Sequence, residues 1–273
     1  MTRLNAFIKC SFLTISSLAV FPAYCDSGAE YGIDTLTKPP SASIVDISEA
    51  PDGLYVGYYQ EDPLTNPEDP VPGTLYLTIS GSKRSQFGAM SFAYVGCQSN
   101  SIATLTGNSV SGHIMGKWHG DIDGTAQSGD YHGVYEPKNH QLSGTYTNSK
   151  GKQFLDLRPC IEYTIAPNGT WELFPVVRNP DMHFTVKVIG KTVTWNAPTT
   201  AQFSLLSIID YENTKTTAQQ AIVFQKIIPG NIGRYTVPAN ILISGRKYIV
   251  TITMNTQANK MLFSTSIITA NQH

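Results

Sequence analysis

From Gly53 onward, apolar and polar residues alternate with a period of two over much of the chain, which is the pattern of half-buried β-strands. Gly53-Leu-Tyr-Val-Gly-Tyr-Tyr59 and Thr74-Leu-Tyr-Leu-Thr-Ile-Ser80 are the first two candidates. The acidic stretch 60–73 between them holds Pro63, Pro67, Pro70 and Pro72 and reads as a loop. Phe87 to Gly96 and Ile102 to Leu105 are further candidates. Between about 110 and 158 the pattern predicts a meander. Val110, Gly112, Ile114, Gly116 and Trp118 would share one strand face, and Ser111, His113, Met115, Lys117 and His119 the other. Leu142, Gly144 and Tyr146 repeat the scheme, and Pro137-Lys-Asn-His140 and Ser149-Lys-Gly-Lys152 read as turns. Gly-x-Tyr recurs at Gly53/Tyr55, Gly129/Tyr131 and Gly144/Tyr146, with Gly116/Trp118 as a variant. Glycine within a strand permits sharp coiling and close backbone approach. Aromatic-plus-glycine hairpins therefore predict an all-β domain over 51–165, an antiparallel β-barrel or β-sandwich.

Ala166-Pro-Asn-Gly169 is a turn sequence and sets the predicted boundary to a second β-domain over 166–273. Asn168-Gly-Thr170 is also a glycosylation sequon, but Asn-Gly reads first as a turn former. Strands are predicted at Met182 to Val188, Thr192 to Pro198, Phe203 to Tyr211, Gln220 to Ile227, Lys247 to Met254 and Met261 to Ile268, a spacing that suits a sandwich. Val193-Thr-Trp195-Asn-Ala-Pro198 resembles the second strand of fibronectin type III domains. Tyr235-Thr-Val-Pro-Ala-Asn-Ile-Leu242-Ile-Ser-Gly-Arg-Lys-Tyr248 resembles that family's later segment, in which a Leu precedes a Gly turn and a corner tyrosine; Ser244-Gly245 departs from the usual Pro-Gly. The resemblance implies an immunoglobulin-like β-sandwich, with Tyr248 hydrogen-bonded to backbone a few residues upstream and a spacer or adhesion role. It implies no chemistry.

Ahead of these domains, Arg3, Lys9 and the apolar run Phe12 to Tyr24 read as a signal peptide over 1–25, with Ala23 and Cys25 before a cut at Asp26. A cut after Ala29 is the second choice, and a lipidated Cys25 the competing reading. The run is too short for a membrane span. Residues 26–50, rich in Ser, Asp, Pro and Thr, read as a flexible leader. Secretion or periplasmic export makes a disulfide between Cys97 and Cys160 the expected use of the remaining pair; two buried thiols are the alternative. Such a closure would contribute about 4 kcal/mol in the chain-entropy model.

The net charge of −1 argues against a nucleic-acid partner, which demands a cationic surface. Charge is nonetheless divided. Residues 26–165 carry 8 Lys+Arg against 16 Asp+Glu, and residues 166–273 carry 9 against 4. Such domains attract each other, or the basic one faces an acidic polymer; otherwise the asymmetry is ordinary surface solvation.

Chemistry is sparse. The densest polar cluster is His119, Asp121, Asp123, Asp130 and His132. A strand through 119–123, a turn over 124–129 and a strand from 130 would put all five on one face. Imidazole and carboxylate are ligands for zinc, manganese or calcium. The competing reading is the wet side of a sheet whose other side, with Trp118, Ile122 and Tyr131, is core. No Gly-x-Ser-x-Gly elbow, phosphate loop or Cys-x-x-Cys occurs. Trp171, at the predicted junction, and the adjacent Tyr58 and Tyr59, one of which must point outward, are candidate interface residues. The sequence thus predicts a cofactor-free, non-enzymatic binding protein, soluble outside the cytoplasm, recognising a glycan, an envelope protein or a small apolar ligand. The alternative is a metal-dependent hydrolase built on the 119–132 hairpin.

Overall fold

The computed structural model describes residues 49–62, 72–91, 102–122, 124–157, 161–176, 183–230, 232–257 and 260–271. Seven strands of the amino-terminal half and an eighth beyond them close into an antiparallel barrel. They are β1 (Gly53–Glu61), β2 (Gly73–Ser80), β3 (Ser85–Ser91), β4 (Ile102–Val110), β5 (His113–Ile122), β6 (Thr125–Glu136), β7 (Gln141–Thr147) and β10 (Asn168–Pro175). The strands follow one another around the wall, and β10 joins β7 to β1. Between β7 and β10 runs a separate hairpin of β8 (Gln153–Leu157) and β9 (Ile161–Ile165). The all-β expectation holds, and closure as a barrel decides the alternative left open by the sequence.

The recurring Gly-x-Tyr phrase has a packing reason. Tyr59, Trp118, Tyr131, Tyr146 and Trp171 all point into the barrel. Each lies over a glycine of the wall: Tyr59 over Gly73, Tyr131 over Gly107 and Gly116, Trp118 over Gly129, Tyr146 over Gly169, and Trp171 over Gly133 and Gly144. The rings occupy the space that missing Cβ atoms leave, and meet edge to face, as Tyr59–Tyr146 at 5.7 Å and Tyr131–Trp171 at 6.4 Å. Coiling the wall this tightly requires glycine where rings and backbone approach.

The expected boundary at 166 therefore moves. Asn168 and Gly169, expected in a turn, already belong to a stave of the barrel, whose register pairs Tyr59 with Trp171 and Gly144 with Trp171. Two further differences are local. The strand expected through 110–119 is broken at Ser111-Gly112, a two-residue turn with φ of 50° and 72°. Val110 consequently ends β4 on the outside, 56% exposed. The expected leader ends in held residues: Ala50 is fully buried in the barrel core, and the Glu49 carboxylate accepts the Ser111 N–H at 2.7 Å.

The carboxy-terminal part is built from two sheets. The three-stranded sheet has the order β11 (Val186–Ile189), β12 (Thr192–Trp195), β15 (Arg234–Thr236). The four-stranded sheet has the order β14 (Ile222–Pro229), β13 (Ala201–Asp210), β16 (Lys247–Thr256), β17 (Met261–Thr269). A one-turn helix α1 (Ala218–Ala221) occupies the start of the strand expected from 220. Val193, Trp195, Leu206, Ile208, Tyr248, Val250, Ile252 and Met254 form the core between the sheets.

The second face of the four-stranded sheet is covered by the barrel. Leu54, Val56, Tyr58, Tyr76 and Ala89 from the outer wall pack with Ile209, Ile249, Met261, Phe263 and α1. Thr74 and Ser207 share a hydroxyl–hydroxyl bond of 2.5 Å, and the Gln225 amide donates to both at 3.0 and 3.2 Å. β13 and β16 are thus buried on both sides, and residues 46–273 belong to one compact unit. Among the described residues no helix is long and apolar enough to cross a membrane.

Candidate functional site

The structure disperses the His/Asp hairpin along an outer wall. β5 ends at Ile122 and β6 begins at Thr125, in place of the six-residue turn expected over 124–129, so both strands run longer and pair differently. Gly124 takes φ +84°, and its N–H is accepted by Asp121. His119 then faces Ser128, Asp121 faces Ala126, Lys117 faces Asp130 and Met115 faces His132. All four described members do point outward, but on separate rungs. Asp130 is engaged by Lys117 at 2.9 Å, which holds its carboxyl below the usual carboxylate range. Among the described residues no group of three or more His, Cys, Asp or Glu could hold a metal ion. Asp123, Cys97 and Cys160 lie outside the described residues.

The aromatic candidates divide. Trp171 is not at a surface. It is 3% exposed inside the barrel, its indole N–H donating to the Thr145 carbonyl at 3.0 Å. Its one-in-two alternation with Leu173 signalled a buried strand, and the preceding Asn168-Gly169, turn formers by residue type but strand in the fold, obscured it. Tyr59 also points inward, its hydroxyl donating to Ser91 O at 3.0 Å. Tyr58 is the outward member of the pair, but it lies under the four-stranded sheet, tilted against Phe263 at 6.0 Å, and donates to Glu172 at 2.7 Å. Burial, and the Glu172 carboxylate beside it, raise its pKa far above that of a free tyrosine. It is an interface residue within the chain.

The barrel interior has no room for a ligand. Tyr59, Leu77, Met90, Trp118, Tyr146 and Trp171 fill it and leave about 10 Å³, the size of a single water site at most.

Among the described residues a cleft of about 220 Å³ opens at the end of the barrel where the chain enters. Pro51, Asp52, Gly53 and Leu54 form one side, Tyr135 and His140 the other, with Tyr55 and Pro175 between. Local geometry fixes each polar group. His140 closes the β6–β7 turn at φ 54°, and its Nδ1 lies 2.9 Å from the Tyr135 hydroxyl. The Tyr55 hydroxyl donates to Pro51 O at 2.8 Å. Asp52 accepts from the Arg84 guanidinium at 3.0 Å and from the Gly81 N–H at 3.3 Å; Arg84 also donates to the Ala50 carbonyl. Burial above all, with Tyr135 and Asp52 nearby, raises the Tyr55 pKa well above its free value. Its hydroxyl stays a neutral hydrogen-bonding group at any physiological pH. The lining contains no Ser, Cys, Thr or Lys. Two hydroxyls, an imidazole and a carboxylate suit the recognition of a small polar molecule; the set lacks an activated nucleophile with its base. The volume falls below the roughly 300–1,000 Å³ of drug-sized pockets. Sequence reading passed over His140 because a histidine in a turn carries no periodic or motif signal.

No family model matches the chain, and no curated protein matches it.

Proposed function

We propose that this is an exported, non-enzymatic binding protein that takes one hydroxyl-rich unit, of the size of a single sugar residue, in the end cleft of its barrel. The observation that carries the reading is the convergence of Tyr55, Tyr135, His140 and Asp52 on about 220 Å³ beside the apolar Pro51, Leu54 and Pro175. A sugar offers paired hydroxyls to such a set and an apolar ring face to the prolines. The packed barrel interior weighs against a ligand held inside. Export rests on the 1–25 signal pattern, and a Cys97–Cys160 disulfide belongs to the same reading.

The carboxy-terminal part serves in this reading as a fibronectin type III-like support. Its three-plus-four strand order favours that assignment. So does Tyr248, 1% exposed, whose hydroxyl accepts the Ile243 N–H at 3.0 Å in the manner of a tyrosine corner. Isothermal titration of the exported protein against a panel of neutral mono- and oligosaccharides tests the site. Saturable binding that Tyr135→Phe with His140→Ala weakens at least tenfold, at unchanged melting temperature, is the expected result. Absence of binding across the panel, or binding indifferent to the double substitution, would overturn it.

A further inference from the structure

In the ion pairs of the described residues, the division of charge noted in the sequence is not spent between the modules. Among the described residues, the ion pairs Arg84–Glu49, Arg84–Asp52, Lys117–Asp130 and Arg246–Asp210 each join residues of the same module, and the contact between modules is made of apolar side chains, hydroxyls and the Gln225 amide. Lys187, Lys191, Lys226, Arg234 and Lys260 of the carboxy-terminal part are exposed. They are almost unopposed: from His183 to the end of the chain the only acids are Asp210 and Glu212. Asp210, its side chain 2% exposed, is taken by Arg246 at 2.8 Å and by the N–H groups of Glu212 and Asn213.

The outer face of the three-stranded sheet is where this matters. Strand register places Lys187, Thr194 and Arg234 on one rung, and Ile189, Thr192 and Thr236 on the next. Lys191 follows at the β11–β12 turn. The face is free of acids, and its cations are exposed. Lys187 to Arg234 spans two inter-strand spacings, roughly 10 Å, so a charged surface lying on this face would feel all three cations within about one Debye length. At the tip of the hairpin stands Ile189, 77% exposed, the most exposed of the large apolar side chains.

From this combination we propose that the outer face of the three-stranded sheet docks onto an anionic phospholipid surface. Lys187, Lys191 and Arg234 lie against headgroup phosphates, the threonine hydroxyls bond between them, and Ile189 enters the acyl boundary. Ile189 selects the occupant. A polyanionic chain satisfies the cations but gives a protruding isoleucine nothing apolar to enter, whereas a bilayer interface does both. The contact is peripheral and reversible, and it leaves the barrel cleft unobstructed by any residue it uses.

Vesicle co-sedimentation of the exported protein is the test. The expected result is binding to vesicles containing one-third phosphatidylglycerol, little binding to pure phosphatidylcholine, and release on raising NaCl from 0.1 to 0.5 M. Each cation removed should weaken binding about fivefold. Lys187→Glu with Lys191→Glu and Arg234→Glu should abolish it while circular dichroism shows the fold intact. Ile189→Ser should weaken it about tenfold and leave the salt dependence in place. The proposal fails if anionic vesicles do not bind, if phosphatidylcholine binds equally, or if the triple variant still binds. It also fails in favour of a soluble polyanion if dextran sulfate binds the same face and Ile189→Ser changes neither ligand. Vesicle binding is scored without any sugar, so its outcome is separate from that of the cleft.

Discussion

The barrel interior is made of Tyr59, Trp118, Tyr131, Tyr146 and Trp171 lying over glycines; the sandwich interior is made of Leu206, Ile208, Val250, Ile252 and Met254, with Trp195 and Tyr248 at its margins. In the barrel the wall approaches its own rings so closely that a Cβ at these glycines would collide, and volume is supplied from neighbouring strands. In the sandwich the inward positions bring their own volume, as Leu206, Ile208, Val250 and Ile252 do. Aromatic-over-glycine packing ties each ring to particular glycines, whereas aliphatic packing tolerates exchange among side chains of similar size. Between the two regions lies a sheet that belongs to both.

The largest expected effect tests that sharing. Residues 183–273 expressed alone would expose Ile209, Ile249, Met261 and Phe263 to water, at about 1.5–3 kcal/mol for each side chain. That sum rivals the whole stability of a small domain. The fragment should lack a cooperative thermal transition and bind a hydrophobic dye. A span from 166 should fare no better, because β10 would arrive without its neighbours β1 and β7. Cooperative melting of either would show that the sandwich stands by itself.

Next in size is the glycine contrast. Gly144→Val sets a side chain against the His132 carbonyl and the Trp171 ring, and should cost more than about 4 kcal/mol or prevent folding. Gly230→Ala in the sandwich finds no atom within 4 Å and meets only a backbone penalty for φ +62°, about 1 kcal/mol. Urea unfolding of both variants makes the comparison, and similar losses would mean the rings do not depend on bare wall.

Alkali should act on the barrel. Burial raises the pKa of Tyr58, Tyr76, Tyr131 and Tyr146 above the ordinary value of 10.0. A raised value means that the neutral form is favoured by folding. The contribution is complete below pH 10 and is lost as pH rises from there toward the folded-state value. Each tyrosine removes about 1.4 kcal/mol per pH unit in that window. Unfolding followed by tyrosinate absorbance should be cooperative above pH 10; gradual ionisation of the folded protein, tyrosine by tyrosine, would contradict this burial.

The smallest effect concerns Tyr248. Tyr248→Phe strands the Ile243 N–H and should cost about 1–2 kcal/mol. Tyr235→Phe, on the half-buried edge strand β15, should cost under about 0.5 kcal/mol. Equal losses by urea unfolding would remove the special standing of the corner.

What the chain disclosed follows from the same contrast. Period-two alternation located most strands of both regions, and the Gly-x-Tyr phrase pointed to a coiled barrel, although each ring lies over a glycine of another strand and not over the one two residues before it. β10 went unread because Asn168-Gly169 mimics a terminal turn, although Gly169, Trp171 and Leu173 alternate as strictly as any stave. The His/Asp hairpin misled in register, since β6 already begins at Thr125, where the small residues 124–129 suggested a turn. The end cleft was invisible for a deeper reason: Asp52, Tyr135 and His140 meet only through barrel closure, and no spacing along the chain encodes a closure.

The doubly covered sheet also bears on inheritance. Along β13, Ser207 and Ile209 answer to the barrel while Leu206 and Ile208 answer to the sandwich, so a one-residue slip would present hydroxyls to an aliphatic core and isoleucines to a hydroxyl pair. A segment that satisfies two clients on alternate residues cannot be lent out as a cassette, as free-standing sandwiches are. Gene fusions that carry away residues 183–273 without the barrel should be lost by selection, and the two halves should have diverged together rather than by exchange.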